Sequence, residues 1–202
     1  TRPGSEKLLA KLSGGGWWLE DWSNDGELMI LLEYISITHT RLHILDANTG
    51  KRSLFTPKLS EEVSYRNARF DSQRQAIYYT CDEDSNFQYV VCLNFKSGER
   101  KRYLGEVNWD VEAFELSPNG KTLAVIHNEG GASKLRFVDA PTGKLSAQQA
   151  LFSDLPKGVI QKIQWHRNGA DLVYDFEWAL SPGEIDAIKL GQKGKVTWAG
   201  SD

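Results

Sequence analysis

The chain consists of short runs of β-branched, aromatic and other apolar residues, separated by polar turns. Eight runs stand out, and they fall into four pairs: 28–32 with 42–45, 76–81 with 89–93, 122–126 with 135–138, and 172–176 with 185–188. Runs this short, with this composition and with turn residues on either side, favour strands over helices. The pattern therefore predicts an all-β protein.

Two turn motifs recur along the chain at a period of about 48 residues. The first is an Asn-Gly or Asp-Gly turn at 22–26, 116–120 and 165–169, with a degenerate copy at 70–74. The second places an Asp or Asn before a Gly at 46–50, 94–98 and 139–143, and more loosely at 191–194. In both turns we expect the Gly to supply a positive φ and the Asp or Asn to hydrogen-bond the local backbone.

Adding one strand before the first turn and one after the second gives four antiparallel strands per repeat, which is a β-propeller blade. A β-sandwich also has strands at this spacing, but it does not repeat two turn types at a single period. We predict four consecutive blades at 16–62, 63–110, 111–158 and 159–202, with 5–13 as the outer strand of a preceding blade. A closed four-bladed ring is the alternative to an arc cut from a larger ring.

Charge and composition exclude several classes of protein. The 202 residues carry 24 Lys and Arg against 27 Asp and Glu, without a basic stripe, so a nucleic-acid partner is not expected. Apolar runs are far shorter than a membrane-spanning helix requires, so no membrane partner is expected. The start at Thr1–Gly4 suggests an excised piece of a longer protein.

The two cysteines, Cys81 and Cys92, are out of register in the predicted hairpin, so we expect buried, reduced thiols and a cytoplasmic location. A periplasmic location is the alternative, because the start of the parent protein is not seen. Neither cysteine has a Cys or His at metal-ligand spacing. His39 and His43 are four residues apart, as in a helical metal site, but here they flank and enter a predicted strand. No metal and no cofactor is expected.

A serine nucleophile is not evident either. The nearest approach to a Gly-x-Ser-x-Gly elbow, at 131–135, fails at its last position and falls in a hairpin loop. This piece of chain is therefore predicted to be non-catalytic, with function on the longer, more varied loops at one end of the blades.

On that rim we single out five residues as facing a substrate or partner: Glu61, Glu62, Trp109, Asp110 and Trp178. Two adjacent carboxylates such as Glu61 and Glu62 can hold an ammonium group by charge-assisted hydrogen bonds, although they also suit a solvated loop. An exposed Trp can pack on a partner domain, and it can equally fill the gap between blades.

The run Ser117-Pro118-Asn119-Gly120-Lys121-Thr122-Leu123-Ala124 resembles the blade signature of TolB-type propellers. Longer stretches, at 17–23, 108–114, 155–160, 181–185 and 195–198, resemble the N-terminal propeller of bacterial prolyl oligopeptidase family serine peptidases, in the acylaminoacyl-peptidase-like branch. The degenerate turn at 70–74 and the weak turn at 191–194 depart from that pattern.

The resemblance implies that the chain is part of a seven- or eight-bladed cap over an α/β-hydrolase domain, which carries a Ser-Asp-His triad and acts on short peptides. In dipeptidyl peptidases of this family, adjacent propeller glutamates bind the substrate amino terminus, and Glu61 and Glu62 are similar to that pair. The expected function is a non-catalytic, substrate-gating propeller. The alternative is a TolB-type or WD-like interaction scaffold. The exposed terminal blades predict self-association of the piece.

Overall fold

The computed structural model describes residues 4, 6–57, 62–146, 157–189 and 195–197. Within these residues every regular element is a β-strand. Four sheets follow one another along the chain, and the strands that pair within them are antiparallel. The all-β prediction is confirmed.

The first two sheets each contain four strands in sequence order. The first is formed by β1 (Gly16–Trp22), β2 (Leu28–Ser36), β3 (His39–Asp46) and β4 (Arg52–Leu54). The second is formed by β5 (Arg66–Phe70), β6 (Ala76–Cys81), β7 (Tyr89–Asn94) and β8 (Arg100–Tyr103).

The third sheet contains β9 (Val111–Leu116), β10 (Thr122–Glu129) and β11 (Ala132–Asp139). An isolated antiparallel bridge between Val138 and Leu145 lies where a fourth strand of this sheet would begin. The fourth sheet contains β12 (Gly158–Val159), β13 (Ile163–Trp165), β14 (Asp171–Trp178), β15 (Ser181–Lys189) and β16 (Lys195–Thr197).

The fourth sheet has an interrupted first strand, because β12 and β13 both pair with β14. The break falls at Ile160–Lys162, where the Asp175 carboxylate accepts the backbone N–H groups of Gln161 at 2.8 Å and Lys162 at 2.6 Å. A side chain thus satisfies donors that the sheet ladder leaves unpaired.

The recurring turns have the predicted geometry. In the first type, Gly26, Gly120 and Gly169 have positive φ, and Ser23 and Ser117 each accept a backbone N–H five residues on. In the second type, Gly50, Gly98 and Gly143 have positive φ, and the leading Asp or Asn accepts a backbone N–H three residues on. In the degenerate copy Arg74 takes the left-handed conformation, with φ of 56°. The copy at 191–194 lies outside the described residues.

The chain divides into two compact units, residues 1–84 with 92–99 and residues 85–91 with 100–202. In the first unit, buried Met29, Leu31 and Leu45 form an apolar cluster against which Trp17 and residues 9, 10, 12 and 47 pack. In the second unit, eleven buried residues of the third and fourth sheets and of the link between them form one cluster: Ala124, Ile126, Leu135, Phe137, Ile160, Ile163, Trp165, Leu172, Tyr174, Phe176 and Ile188.

The cysteines form no disulfide, as expected. Cys81 is buried, whereas Cys92 is only half-buried, because the end of β7 is less covered than its start. Residues 5–13 were predicted as an outer strand, and the described ones among them, 6–13, belong to no strand in the described part of the chain. A strand is defined by its partner, so the assignment of this segment to a preceding blade stays a prediction.

Candidate functional site

The loop rim is the end of each sheet that carries the turn between its second and third strands and the connection from the previous sheet. Antiparallel order sends the two short Gly-containing turns to the opposite end. Each compact unit has sheet ends of this kind, and those of the two units are described separately.

In the first unit the rim carries a patch of exposed apolar side chains, which we call the aromatic patch: Trp18, Tyr34, Ile35 and Ile37. Trp18 is 51% exposed and its ring meets that of Tyr34 edge to face, with centroids 5.6 Å apart. Ile37 lies in the turn between β2 and β3 and is 71% exposed. Exposed apolar side chains at one end of a sheet can form a binding surface.

Charged groups of both signs lie beside the aromatic patch. The Arg66 guanidinium donates to the Ile37 carbonyl at 3.0 Å and to the Ser64 hydroxyl at 2.9 Å. The Glu62 carboxylate accepts the Thr38 hydroxyl at 2.6 Å. These bonds fix the turn that presents Ile37. A ligand with an apolar side chain and polar backbone groups would find matching partners here.

Of the predicted glutamate pair, only Glu62 can be placed, since Glu61 lies outside the described residues. Glu62 is exposed and hydrogen-bonds Thr38. The connection just after it is pinned to the first sheet by Thr40, whose hydroxyl donates to the Tyr65 carbonyl at 2.6 Å. Glu62 thus lies at the rim, next to a segment that Thr40 anchors.

In the second unit, Trp109 and Asp110 occupy the connection into the third sheet. Trp109 is 44% exposed. Asp110 accepts the backbone N–H of Gln88 at 2.8 Å, so its carboxylate anchors the connection. Trp178 is half-buried, packs against the apolar cluster of the third and fourth sheets, and donates its indole N–H to Glu184 at 3.2 Å.

Sequence reasoning missed the aromatic patch. The available signal was the run Tyr34-Ile35-Ser36-Ile37, in which apolar residues continue into a turn where polar residues are the norm. Trp18 follows Trp17 directly, and on a strand only one of two successive residues faces a given side. Trp17 packs with the cluster around Met29, which leaves Trp18 for the other face of β1.

The two histidines that the sequence places four residues apart do not come together in the structure. His39 and His43 both lie on β3, about 13 Å apart along an extended strand, which is too far for a shared metal. His43 instead contacts Glu33 at 2.8 Å. Among the described residues no cluster of His, Cys, Asp or Glu could hold a metal ion. The described part of the chain contains no helix that could cross a membrane.

In the second unit, burial shifts the pKa of His127 and of Tyr174. Desolvation, with a contribution from Arg136, lowers the pKa of His127 to about 4. Desolvation, together with the nearby Asp186 carboxylate, raises the pKa of Tyr174. Tyr174 and Asp186 lie opposite each other on β14 and β15 and both are buried.

Comparisons with known proteins agree with this architecture. No family model and no curated protein sequence matches the chain. Among solved structures, a prolyl endopeptidase superposes over 90% of this chain and 26% of its own, with a TM-score of 0.72 and 15% identity. A puromycin-hydrolyzing peptidase of Mycobacterium tuberculosis covers 88% of this chain and 28% of its own, with a TM-score of 0.67 and 12% identity.

TolB from Acinetobacter baumannii covers 83% of this chain and 39% of its own, with a TM-score of 0.63 and 20% identity. The chain thus spans from about a quarter to two-fifths of these three proteins. The likeness establishes the fold: the chain is a partial β-propeller with TolB-type blades.

Proposed function

We propose that the chain is the non-catalytic, substrate-gating part of a serine peptidase that hydrolyses short peptides. In this proposal an α/β-hydrolase domain outside these 202 residues performs the chemistry, and the propeller limits which substrates reach it. The observation that supports this most is the superposition on two peptidases over 88% and 90% of the chain. The aromatic patch gives such a gate a surface for apolar peptide side chains.

The decisive experiment is to express the protein from its complete coding sequence and label it with a serine-directed fluorophosphonate. We expect one labelled serine outside residues 1–202, and no label on the 202-residue chain alone. Gating predicts that the complete protein cleaves peptides of a few residues and leaves the same sequence intact within a folded protein. A complete protein without a reactive serine would overturn the proposal.

The aromatic patch is tested in the same protein by Trp18→Ser and Ile37→Ser. If the patch contacts peptides, these variants raise KM and leave kcat nearly unchanged, since uniform binding is lost. Trp22→Ser is the matched control, because Trp22 is 52% exposed at the opposite end of the same strand. Equal KM changes in all three would remove the patch from the proposal.

The second candidate function is a TolB-type interaction scaffold. The higher identity to TolB of A. baumannii, 20% against 15% and 12% for the peptidases, favours it. A coding sequence with further blades and no hydrolase domain would select it.

For the 202-residue chain itself we propose self-association through the fourth sheet. Val173 and Ile185 are exposed there, beside a cavity of about 140 Å³ lined also by Lys162, Gln164 and Asp175. Light scattering at tens of micromolar is expected to show a dimer, and Ile185→Asp to shift it to monomer. A strictly monomeric parent chain would contradict this.

A further inference from the structure

Two of the recurring turns contain an asparagine followed directly by a glycine, at Asn119-Gly120 and Asn168-Gly169. Both turns lie in the second unit, and both asparagines are exposed. Because glycine has no side chain, its backbone nitrogen can approach the side-chain amide of the asparagine before it. An asparagine in this position can therefore lose its amide nitrogen without an enzyme.

The reaction needs water and no other reagent. The backbone nitrogen of the glycine loses its proton to solvent and attacks Cγ of the asparagine. The bond between Cγ and Nδ2 then breaks, and the nitrogen takes up a proton and leaves as ammonia. Water opens the resulting succinimide ring at either carbonyl carbon, which gives aspartate or isoaspartate. Each conversion adds one negative charge.

The turn at Asn119 matches the turn of the first sheet, which has an aspartate at the equivalent position. Oδ1 of Asn119 accepts the Ser117 hydroxyl at 2.8 Å and the backbone N–H two residues on at 3.0 Å. Oδ1 of Asp25 accepts the Ser23 hydroxyl at 2.6 Å and the backbone N–H two residues on at 3.1 Å. The bond from Ser23 lowers the pKa of Asp25. This turn therefore accommodates the carboxylate that the reaction produces.

The backbone nitrogens that would attack are hydrogen-bonded in both turns. Gly120 donates its N–H to the Ser117 carbonyl at 2.8 Å, and Gly169 donates its N–H to the His166 carbonyl at 2.9 Å. Each nitrogen must leave this bond before it reacts. Opening an exposed turn is a local event that requires much less free energy than unfolding, and it slows the two reactions alike.

The side chains of the two asparagines are held differently. Oδ1 of Asn168 accepts the backbone N–H groups of Ala170 and Asp171 at 3.0 Å each, and its Nδ2 donates to the Asp171 carboxylate at 2.9 Å. Nδ2 of Asn119 has no hydrogen-bond acceptor among the described residues. Asn168 must therefore break one more bond than Asn119 before its Cγ can turn toward the following glycine.

We propose that Asn119 is a site of spontaneous deamidation, with Gly120 supplying the attacking nitrogen, and that Asn168 reacts more slowly because Asp171 holds its side chain. The new charge lies on the turn between β9 and β10. The aspartate product keeps this turn. Isoaspartate lengthens the main chain by one carbon and moves Gly120 away from the Ser117 carbonyl. This inference does not depend on the peptidase proposal, because the reaction needs only the turn and water.

Peptide mass mapping of the 202-residue chain, incubated in native buffer at mildly alkaline pH, follows both conversions. We expect Asn119 to convert roughly fivefold faster than Asn168, as one additional hydrogen bond implies. The exposed Asn24, which is followed by an aspartate, is the internal control and should convert more slowly than either. Asp171→Ala should raise the rate at Asn168 and leave that at Asn119 unchanged. The proposal is wrong if Asn168 converts as fast as Asn119, or if Asn119 stays intact while the urea-unfolded chain converts.

The effect of the two products on the fold provides a second readout. Asn119→Asp should keep the thermal midpoint of the parent chain, because the aspartate of the first sheet makes the same bonds. Incubated chains that contain isoaspartate at position 119, detected with an isoaspartyl methyltransferase, should melt at a lower temperature. Asn119→Gln is the matched control, since its longer side chain would have to close a six-membered ring, and it should gain no charge there. A midpoint of Asn119→Asp as low as that of the isoaspartate form would show that the turn does not accommodate the product.

Discussion

The first two sheets and the last two sheets are joined by the same kind of bond between their first strands. In the first pair, the carboxylate of Glu20 accepts the Ala68 N–H at 3.1 Å and that of Asp21 accepts the Phe70 N–H at 2.7 Å. In the last pair, the carboxylate of Glu115 accepts the Trp165 N–H at 2.9 Å. Donor and acceptor are about one repeat apart each time.

The two pairs differ in what surrounds that bond. Between the first two sheets, Arg69 lies 3.7 Å from Glu20, and Arg74 forms ion pairs with Asp25 at 2.8 Å and Glu27 at 2.6 Å. Between the last two, the Trp165 indole donates to the Glu115 carbonyl at 3.0 Å and its ring packs on Phe137. Both pairs of sheets thus share a hydrogen bond from a backbone N–H to a carboxylate. The side chains around that bond are charged in the first pair and aromatic in the last.

The largest expected effect is at Trp165, which is buried and lies in the cluster of the third and fourth sheets. Trp165→Ala should reduce the free energy of unfolding by roughly 3–5 kcal/mol, the usual cost of deleting a buried large aromatic ring. Urea denaturation followed by circular dichroism measures it. Trp22, the equivalent residue of the first sheet, is exposed, so Trp22→Ala should cost less than about 1 kcal/mol. Equal losses of unfolding free energy in Trp165→Ala and Trp22→Ala would contradict the difference between the buried and the exposed tryptophan.

The next largest change in stability is expected when a buried histidine is protonated, and each unit contains one such histidine. Burial lowers the pKa of His127 to about 4, and neither ring nitrogen has a hydrogen-bond partner among the described residues. The unfolded chain therefore binds a proton at higher pH than the folded one, so stability is lost as pH falls from about 6.5 towards 4. The loss is at most roughly 1.4 kcal/mol per pH unit.

His127→Leu should flatten the stability profile in that pH window, as measured by urea denaturation between pH 7 and pH 4. Burial also lowers the pKa of His43, but the hydrogen bond between its ring and the Glu33 carboxylate opposes that shift. We expect proton resonances to show His43 titrating at a higher pH than His127. A His127 that titrates at its ordinary pKa would contradict the buried, unpaired placement.

These contrasts show which features of the structure could be predicted from the sequence. The turns were predictable because their hydrogen bonds join residues within five positions, as at Ser23 and Asp46. The hydrogen bond from the Trp165 N–H to the Glu115 carboxylate could not be predicted, because the two residues are 50 positions apart and their contact depends on how the sheets pack. The exposed Trp18 on β1 was missed because apolar residues in strands are normally assigned to the core.

The carboxylates that join the sheets are expected to have an intermediate effect. Asp21→Ala and Glu115→Ala each leave a backbone N–H without its acceptor, which costs roughly 1–3 kcal/mol. Asp21→Asn and Glu115→Gln keep an acceptor oxygen and should recover most of that loss. Urea denaturation of the four variants measures the recovery. If Asp21→Ala leaves the unfolding free energy unchanged while Glu115→Ala lowers it strongly, the first two sheets do not depend on the carboxylate bond that both pairs of sheets share.

The smallest effect is expected at Arg74, where strain and charge oppose each other. Its φ of 56° places a non-glycine residue in the left-handed region, which costs roughly 1 kcal/mol, and its guanidinium pairs with Asp25 and Glu27. Arg74→Ala loses the ion pairs and keeps the strain, whereas Arg74→Gly loses the ion pairs and relieves it. We therefore expect Arg74→Ala to have the lowest thermal midpoint, with Arg74→Gly close to the parent chain. High salt should narrow the gap between parent and Arg74→Ala, because exposed ion pairs are screened. If Arg74→Gly is no more stable than Arg74→Ala, the backbone at position 74 is not strained, and charge alone explains why this turn departs from the other three.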